Sequence, residues 1–151
     1  MLRIENITNE LVSVYAFFAS ILTFEIIVMS FLTGQRRLKT LSFANPEDAI
    51  RRGDTKYCRL NPEVERLRRI VRNDVENIPT FLVTSFLYIL TGPRASYFAV
   101  LMGLYTLLRI LYSFAYACAF QSPTRSVLYS FGLYFVKLPM LVTVFYNCLL
   151  G

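Results

Sequence analysis

Arg69, Arg72, Asn73 and Glu76 stand at i, i+3, i+4 and i+7 in the run ERLRRIVRNDVEN, residues 65–77. On a helix that spacing is one face. Two guanidiniums, an amide and a carboxylate on one stripe suit a small zwitterion carrying several carboxylates. The same spacing also suits a solvated helix start with i,i+4 ion pairs, Arg72 to Glu76 among them. Spacing alone does not separate the two. Two further groups repeat the chemistry. Arg109, Tyr112 and Tyr116 share one helical face in an otherwise apolar segment, and Arg125, Ser126 and Tyr129 cluster where another apolar segment begins.

Other chemistries are excluded by what the chain lacks. It has no histidine and three cysteines, Cys58, Cys118 and Cys148, none in a CxxC pair. That supplies neither a zinc site nor a disulfide framework, so no metal is expected. The net charge of +6 is concentrated in two regions that would flank a membrane. It suggests topology and anionic ligands, and no aromatic-basic pattern points to nucleic acid.

The elements that must position these groups are apolar helices. The chain has 151 residues, 55% of them hydrophobic, and its mean hydropathy is positive. This is an integral membrane composition. A first span is expected from about 11 to 33, interrupted by Glu25. A polar loop over 34–62 follows, in which Asn45-Pro46-Glu47-Asp48 starts a short helix. Asn61-Pro62-Glu63 repeats that start signal, with Asn61 as N-cap and Pro62 as first helical residue. The second long helix, 63–90, begins in the charged run and ends in an apolar one. Pro79 should bend it, and Thr91-Gly92-Pro93-Arg94 should close it. Spans three and four are expected over 95–120 and 124–149, joined by Gln121-Ser122-Pro123-Thr124, with Lys137 and Pro139 inside the last.

Cations are dense in the 34–62 loop and at the turn between spans three and four, while Arg3 and Arg94 mark the opposite side. The positive-inside rule therefore places both basic regions in the cytosol and both termini across the membrane. Asn6-Ile7-Thr8 matches a glycosylation acceptor on the far side, too near the first span to be used. With this topology Arg37, the 69–76 stripe, the Arg109–Tyr116 face and the Arg125–Tyr129 group meet at one depth. Arginines with few acids repel each other without an anion. The inference is a cytosol-facing pocket for a polyanionic or zwitterionic small molecule, against the plainer reading of arginines snorkelling to lipid phosphate. Glu25 and Lys137, both within spans, would be relieved by pairing.

The chain resembles the MAPEG family, the membrane-associated proteins of eicosanoid and glutathione metabolism. The resemblance lies in FANPEDA at 43–49, PEVERLRRIVRNDVENI at 62–78, the Arg109–Tyr116 segment and PTRSVLY at 123–129. Within the family, Thr33-Gly34-Gln35 and Tyr57-Cys58-Arg59 lean toward the prostaglandin E synthase branch. Glu76-Asn77-Ile78 leans toward the microsomal glutathione transferase branch. The resemblance implies an all-α, four-helix membrane bundle that forms a homotrimer in the endoplasmic reticulum membrane, with glutathione held between subunits. The positions matching glutathione contacts are Arg37, Arg69, Arg72, Asn73, Glu76, Tyr116, Arg125, Ser126 and Tyr129, with Arg109 and Tyr112 deeper. Arg125 and Ser126 are then expected at the sulfur, where a guanidinium favours thiolate. Asp48 matches a proton-transfer candidate, and is equally a helix-start acid. Tyr112 departs from the family's usual histidine, and Pro79 sits one residue early.

Glutathione conjugation to hydrophobic electrophiles, with reduction of lipid hydroperoxides as a second activity, is the leading expectation. Isomerisation of an endoperoxide to prostaglandin E is the alternative. A non-catalytic member that binds lipid or a partner protein is the third.

Overall fold

The computed structural model describes residues 4–120 and 122–150; Arg3 and Gln121 lie outside them. Helix α1 (Asn9–Thr40) opens at Thr8, whose hydroxyl accepts from the Leu11 N–H at 3.3 Å. It does not stop at Gly34. It continues through Arg36, Arg37 and Lys39 until Leu41 turns left-handed at φ 46°. Gln, Arg, Leu and Lys are good helix formers, and cations near a helix C-terminus complement its dipole. Arg37 is therefore carried on a rigid helix instead of a loop. The connection to α3 holds α2 (Pro46–Arg51) and a 3-10 turn (Thr55–Tyr57), tied to the end of α1 by Phe43 N–H donating to the Tyr57 carbonyl at 2.9 Å. Asp54 caps that turn by accepting from the Lys56 N–H, which with the Lys56 ammonium 3.1 Å away holds its carboxyl below the usual range.

Helix α3 (Pro62–Ile89) begins as expected. The Asn61 side chain accepts from the N–H groups of Glu63 and Val64, a cap that contributes about 1 kcal/mol. Pro79 lies inside the helix and leaves the Val75 carbonyl without its usual donor. The turn to α4 (Ala95–Ala117) passes through Gly92 at φ 72°, a conformation glycine adopts without strain. Asn6 packs there and donates to the Leu90 carbonyl at 2.8 Å. Both ends of the glycosylation acceptor thus have structural work: Asn6 closes the α3–α4 turn, and Thr8 caps α1.

Helices α5 (Ser122–Phe131) and α6 (Leu138–Leu150) form one rod through a π-helical segment, Gly132–Lys137. Such wide turns relieve a disturbed hydrogen-bond ladder, and Pro139, which cannot donate, lies two residues beyond the segment's end.

The regular elements of the described residues are all helical apart from one isolated bridge, Phe43 to Cys58. Helix α1 packs on α3 and α4, and α3 also packs on α4 and α6. Leu22, Ile78, Phe81, Phe98, Met102 and Val136 fill the shared core. Two phenols cross to carbonyls of α3, Tyr15 to Leu82 and Tyr105 to Asn77, each at 3.3 Å. Three helical segments are long and apolar enough to cross a membrane: Asn9–Thr40, Ala95–Ala117 and Pro123–Leu149. The first half of α3 is too charged to join them on composition. Large apolar side chains point outward along these segments. Phe17, Phe24 and Phe31 of α1 are each more than 60% exposed, a face suited to lipid or protein and not to water.

Candidate functional site

The residues singled out from sequence fall on two sides of α3. On one side a cleft of about 350 Å³ is walled by Asn73 of α3, Tyr112 and Tyr116 of α4, and Arg125, Ser126 and Tyr129 of α5. On the other, a cleft of about 540 Å³ between α1 and α3 is walled by Arg37, Arg69 and Arg72, with Thr33, Gly34 and Glu65. The stripe on α3 does not face one pocket within a single chain. Arg72 and Asn73 are consecutive, so they point about 100° apart around the axis. The stripe straddles the helix crest, and each edge serves a different cleft.

The first cleft is built on stacked cations and phenols. The Arg125 guanidinium lies over the Tyr116 ring, 4.2 Å from its centroid, and the Arg109 guanidinium lies 4.8 Å from that of Tyr112. The Tyr112 and Tyr116 rings meet tilted at 52°, their centroids 5.9 Å apart. The ladder Arg109–Tyr112–Tyr116–Arg125 fixes Arg125 beside Ser126, each cation–π contact contributing about 0.5–2 kcal/mol. The Nε atoms of Arg37 and Arg125 are buried without a hydrogen-bond partner, one in each cleft. A buried, unsatisfied guanidinium donor invites an acceptor.

Arg109 is engaged inside the chain. It is 4% exposed, pairs with the fully buried Asp74 and donates to the Asn73 side chain at 2.9 Å. Ser113 donates to the other Asp74 oxygen at 3.5 Å. Arg109 thus sets the position of Asn73, which does line the first cleft. Glu76 pairs with Arg72 at 3.0 Å, the i,i+4 pair expected of a helix surface, and walls neither cleft. Asp48 lies exposed in the first turn of α2 and also walls neither. The expected pair of Glu25 with Lys137 is not made within the chain. Lys137 donates to the Thr80 hydroxyl at 2.5 Å, and the Glu25 oxygens are buried without a partner near Ser113, Asp74 and Arg109. Among the described residues no cluster of three metal-ligating side chains exists.

A profile of the MAPEG family matches residues 15–145. The chain belongs to the MAPEG family. Similar MAPEG-type chains include a prostaglandin E synthase of Macaca fascicularis, 39% identical over 112 residues and 74% of each chain. A prostaglandin E synthase of Bos taurus is 35% identical over 127 residues, 84% of this chain and 83% of its own. Microsomal glutathione S-transferase 1 of Sus scrofa is 36% identical over 140 residues, 90% of each chain. These relatives are enzymes, and with three membrane-capable helices this MAPEG chain is a membrane protein.

The sequence reading passed over Asp74 as a site residue, and with it the anchor of Arg109. The available signal was Arg109 itself: a lone arginine deep in a span requires an acid at its depth. Ser130 in the first cleft and Arg68 and Glu65 in the second were also unmarked, and they pair with each other at 2.8 Å in the latter case.

Proposed function

We propose that the protein is a four-span glutathione transferase of the endoplasmic reticulum membrane. It would act as a homotrimer with cytosol-facing sites and termini in the lumen. The observation that carries the reading is Arg125: stacked on Tyr116, buried at Nε without a partner, and adjacent to Ser126 in a cleft open to solvent. Glutathione has two carboxylates, an ammonium and a thiol. Arg37, Arg69 and Arg72 suit the carboxylates, and Asn73 and Tyr129 offer neutral hydrogen bonds. Glu76 suits the ammonium, with Arg72 shared between it and the ligand. Glutathione supplies the sulfur nucleophile. The chain's part is to orient it and to stabilise the thiolate through Arg125 and the Ser126 hydroxyl.

The split of these residues between two clefts supports a site made by two copies. The Arg37 cleft of one subunit would face the Arg125 cleft of its neighbour, so that neither is complete alone. Asp48, exposed on α2, would reach such a site only from a neighbouring copy, where it would act in proton transfer.

The test is conjugation of glutathione to a chlorinated nitrobenzene by detergent-purified protein. A conjugate with release of chloride is expected; none, with glutathione bound, refutes the transferase reading. A second reading, glutathione-dependent isomerisation of an endoperoxide to prostaglandin E, is favoured by the 39% identity to a prostaglandin E synthase. The transferase match covers 90% of both chains and is preferred for that reason. Prostaglandin H converted to prostaglandin E above the spontaneous level, without conjugation, would reverse the order. Silence in both assays with glutathione still bound would place the chain in the non-catalytic class.

A further inference from the structure

Glu25 is a buried acid with no part in either cleft. It lies on α1, the helix that packs against both α3 and α4. The residue is half-buried, but both of its carboxylate oxygens are shut away from solvent without a hydrogen-bond partner. An acid inside a span is costly and calls for a partner or a task. Its polar neighbours are Ser113 and Arg109 of α4 and Asp74 of α3.

Arg109 has an unused donor to match. A guanidinium carries five N–H donors in one plane. Both bonds from Arg109 to α3 leave through a single nitrogen, Nη2, which serves the Asn73 amide oxygen at 2.9 Å and the Asp74 carboxylate. Its Nε is buried and unpartnered. Ser113 has one hydroxyl hydrogen for two carboxylates, and it goes to Asp74 at 3.5 Å, long for such a bond. Arg109 therefore stands between an α3 side that holds it and an α1 side that has a free acceptor.

What Arg109 does for the Arg125 cleft follows from donor chemistry. A guanidinium only donates, so the Asn73 amide must turn its oxygen to Arg109. The N–H2 group is then the end left for the cleft, which Asn73 lines. An amide held that way offers a donor to an anionic ligand, whereas a freely turning one would offer its oxygen as readily.

We propose that Glu25 is a positioning residue for this cleft. Its carboxylate takes the Arg109 Nε–H, clamps the guanidinium between α1 and α3, and so keeps the Asn73 N–H2 toward the ligand. The contact is not made in the conformation described here, and two buried complementary groups without partners favour closing it. The inference rests on the glutathione reading for the ligand that reports it, but not for the clamp itself.

The experiment measures glutathione binding by calorimetry on the full chain in lipid nanodiscs, with no electrophile present. Glu25→Leu should weaken binding about twofold to tenfold, the range for one hydrogen bond from Asn73. Glu25→Gln keeps an acceptor oxygen in nearly the same shape and should bind within about twofold of wild type. In an Asn73→Ala background Glu25→Leu should have no further effect, because the amide it positions is gone. Wild-type affinity in Glu25→Leu overturns the proposal. So does an equal loss in Glu25→Gln, or the same loss in the Asn73→Ala background, which would mark a packing role. The second readout is proton exchange at the Arg109 Nε–H, followed by magnetic resonance on protein with isotope-labelled arginine and assigned by its absence in Arg109→Lys. Exchange should be about tenfold faster in Glu25→Leu than in the wild type. A wild type that binds no glutathione refutes the glutathione reading, and faster exchange in Glu25→Leu then still upholds the clamp. Unchanged exchange overturns the clamp whether or not glutathione binds.

Discussion

Asp74→Asn should be among the most damaging single substitutions in the chain. Asp74 is fully buried and Arg109 nearly so, and each is the other's only charged partner at ion-pair distance among the described residues. Removing one charge from a buried pair leaves the other desolvated and costs about 3–5 kcal/mol. At about 2–4 °C per kcal/mol for a chain of this size, the unfolding midpoint should fall by roughly 10 °C. The Asn73 side chain, which accepts from Arg109, should lose its fixed position as well.

Removing both charges behaves differently. Asp74→Leu with Arg109→Leu leaves no orphan in the pair, so it should cost less than the sum of the two single changes by at least about 2 kcal/mol. Glu25 complicates the single mutant, since its unpartnered carboxylate stands near Arg109 and offers a substitute anion. The cycle is therefore run in a Glu25→Gln background as well, where Asp74→Asn should be more damaging still. The assay is reversible unfolding in mixed micelles followed by far-ultraviolet circular dichroism, because the chain has no tryptophan. Additive single and double costs, or an Asp74→Asn loss below about 1 kcal/mol, would refute the claim that this pair organises the interior.

Arg125→Leu should abolish conjugation while leaving the assembled state in detergent unchanged; wild-type turnover would end its role as thiolate stabiliser. Arg37→Leu and Arg125→Leu should each be inactive alone, yet recover activity when co-expressed, because mixed assemblies contain some sites with both arginines intact. Failure to recover would place both arginines in one subunit's site or neither in it. Gly92→Ala should cost at least about 1 kcal/mol, read by the same unfolding assay. The alanine would be strained at φ 72° and would press Asn6, whose Cγ lies 3.2 Å from the new Cβ. Glycosidase treatment of protein made in a eukaryotic host should leave its mass unchanged, since the Asn6 amide is committed to Leu90.

The local grammar of the helices was readable from sequence. Asn61 and Pro62 start α3, Pro79 sits inside it and Gly92 closes it, all by backbone rules that need no tertiary information. The end of α1 was misread because polar residues look like a loop beside an apolar span, although Gln35 to Lys39 extend a helix readily. The Asp74–Arg109 pair joins residues 35 positions apart, and no spacing rule reaches that far. The π-helical segment depends on how Pro139 disturbs a rod already packed against α4, which composition does not show. The stripe on α3 was read as one face, but its two edges meet different neighbours.

The arginines sort by their partners. Arg36, Arg68, Arg72 and Arg109 each have a carboxylate of this chain: Glu63, Glu65, Glu76 and Asp74. Arg37, Arg69 and Arg125 have none at ion-pair distance among the described residues, and all three line the clefts. All four acids in those pairs lie on α3. The helix gives its carboxylates to these four, two of which, Arg68 and Arg72, also line the second cleft, and leaves Arg37, Arg69 and Arg125 to be neutralised from outside. A dianionic ligand meets that deficit, whereas lipid phosphate would neutralise an arginine at the rim without reaching the buried Nε atoms of Arg37 and Arg125. The positive charge left unpaired at Arg37, Arg69 and Arg125 is thus the physical case for a soluble anion there, and it stands apart from any family likeness.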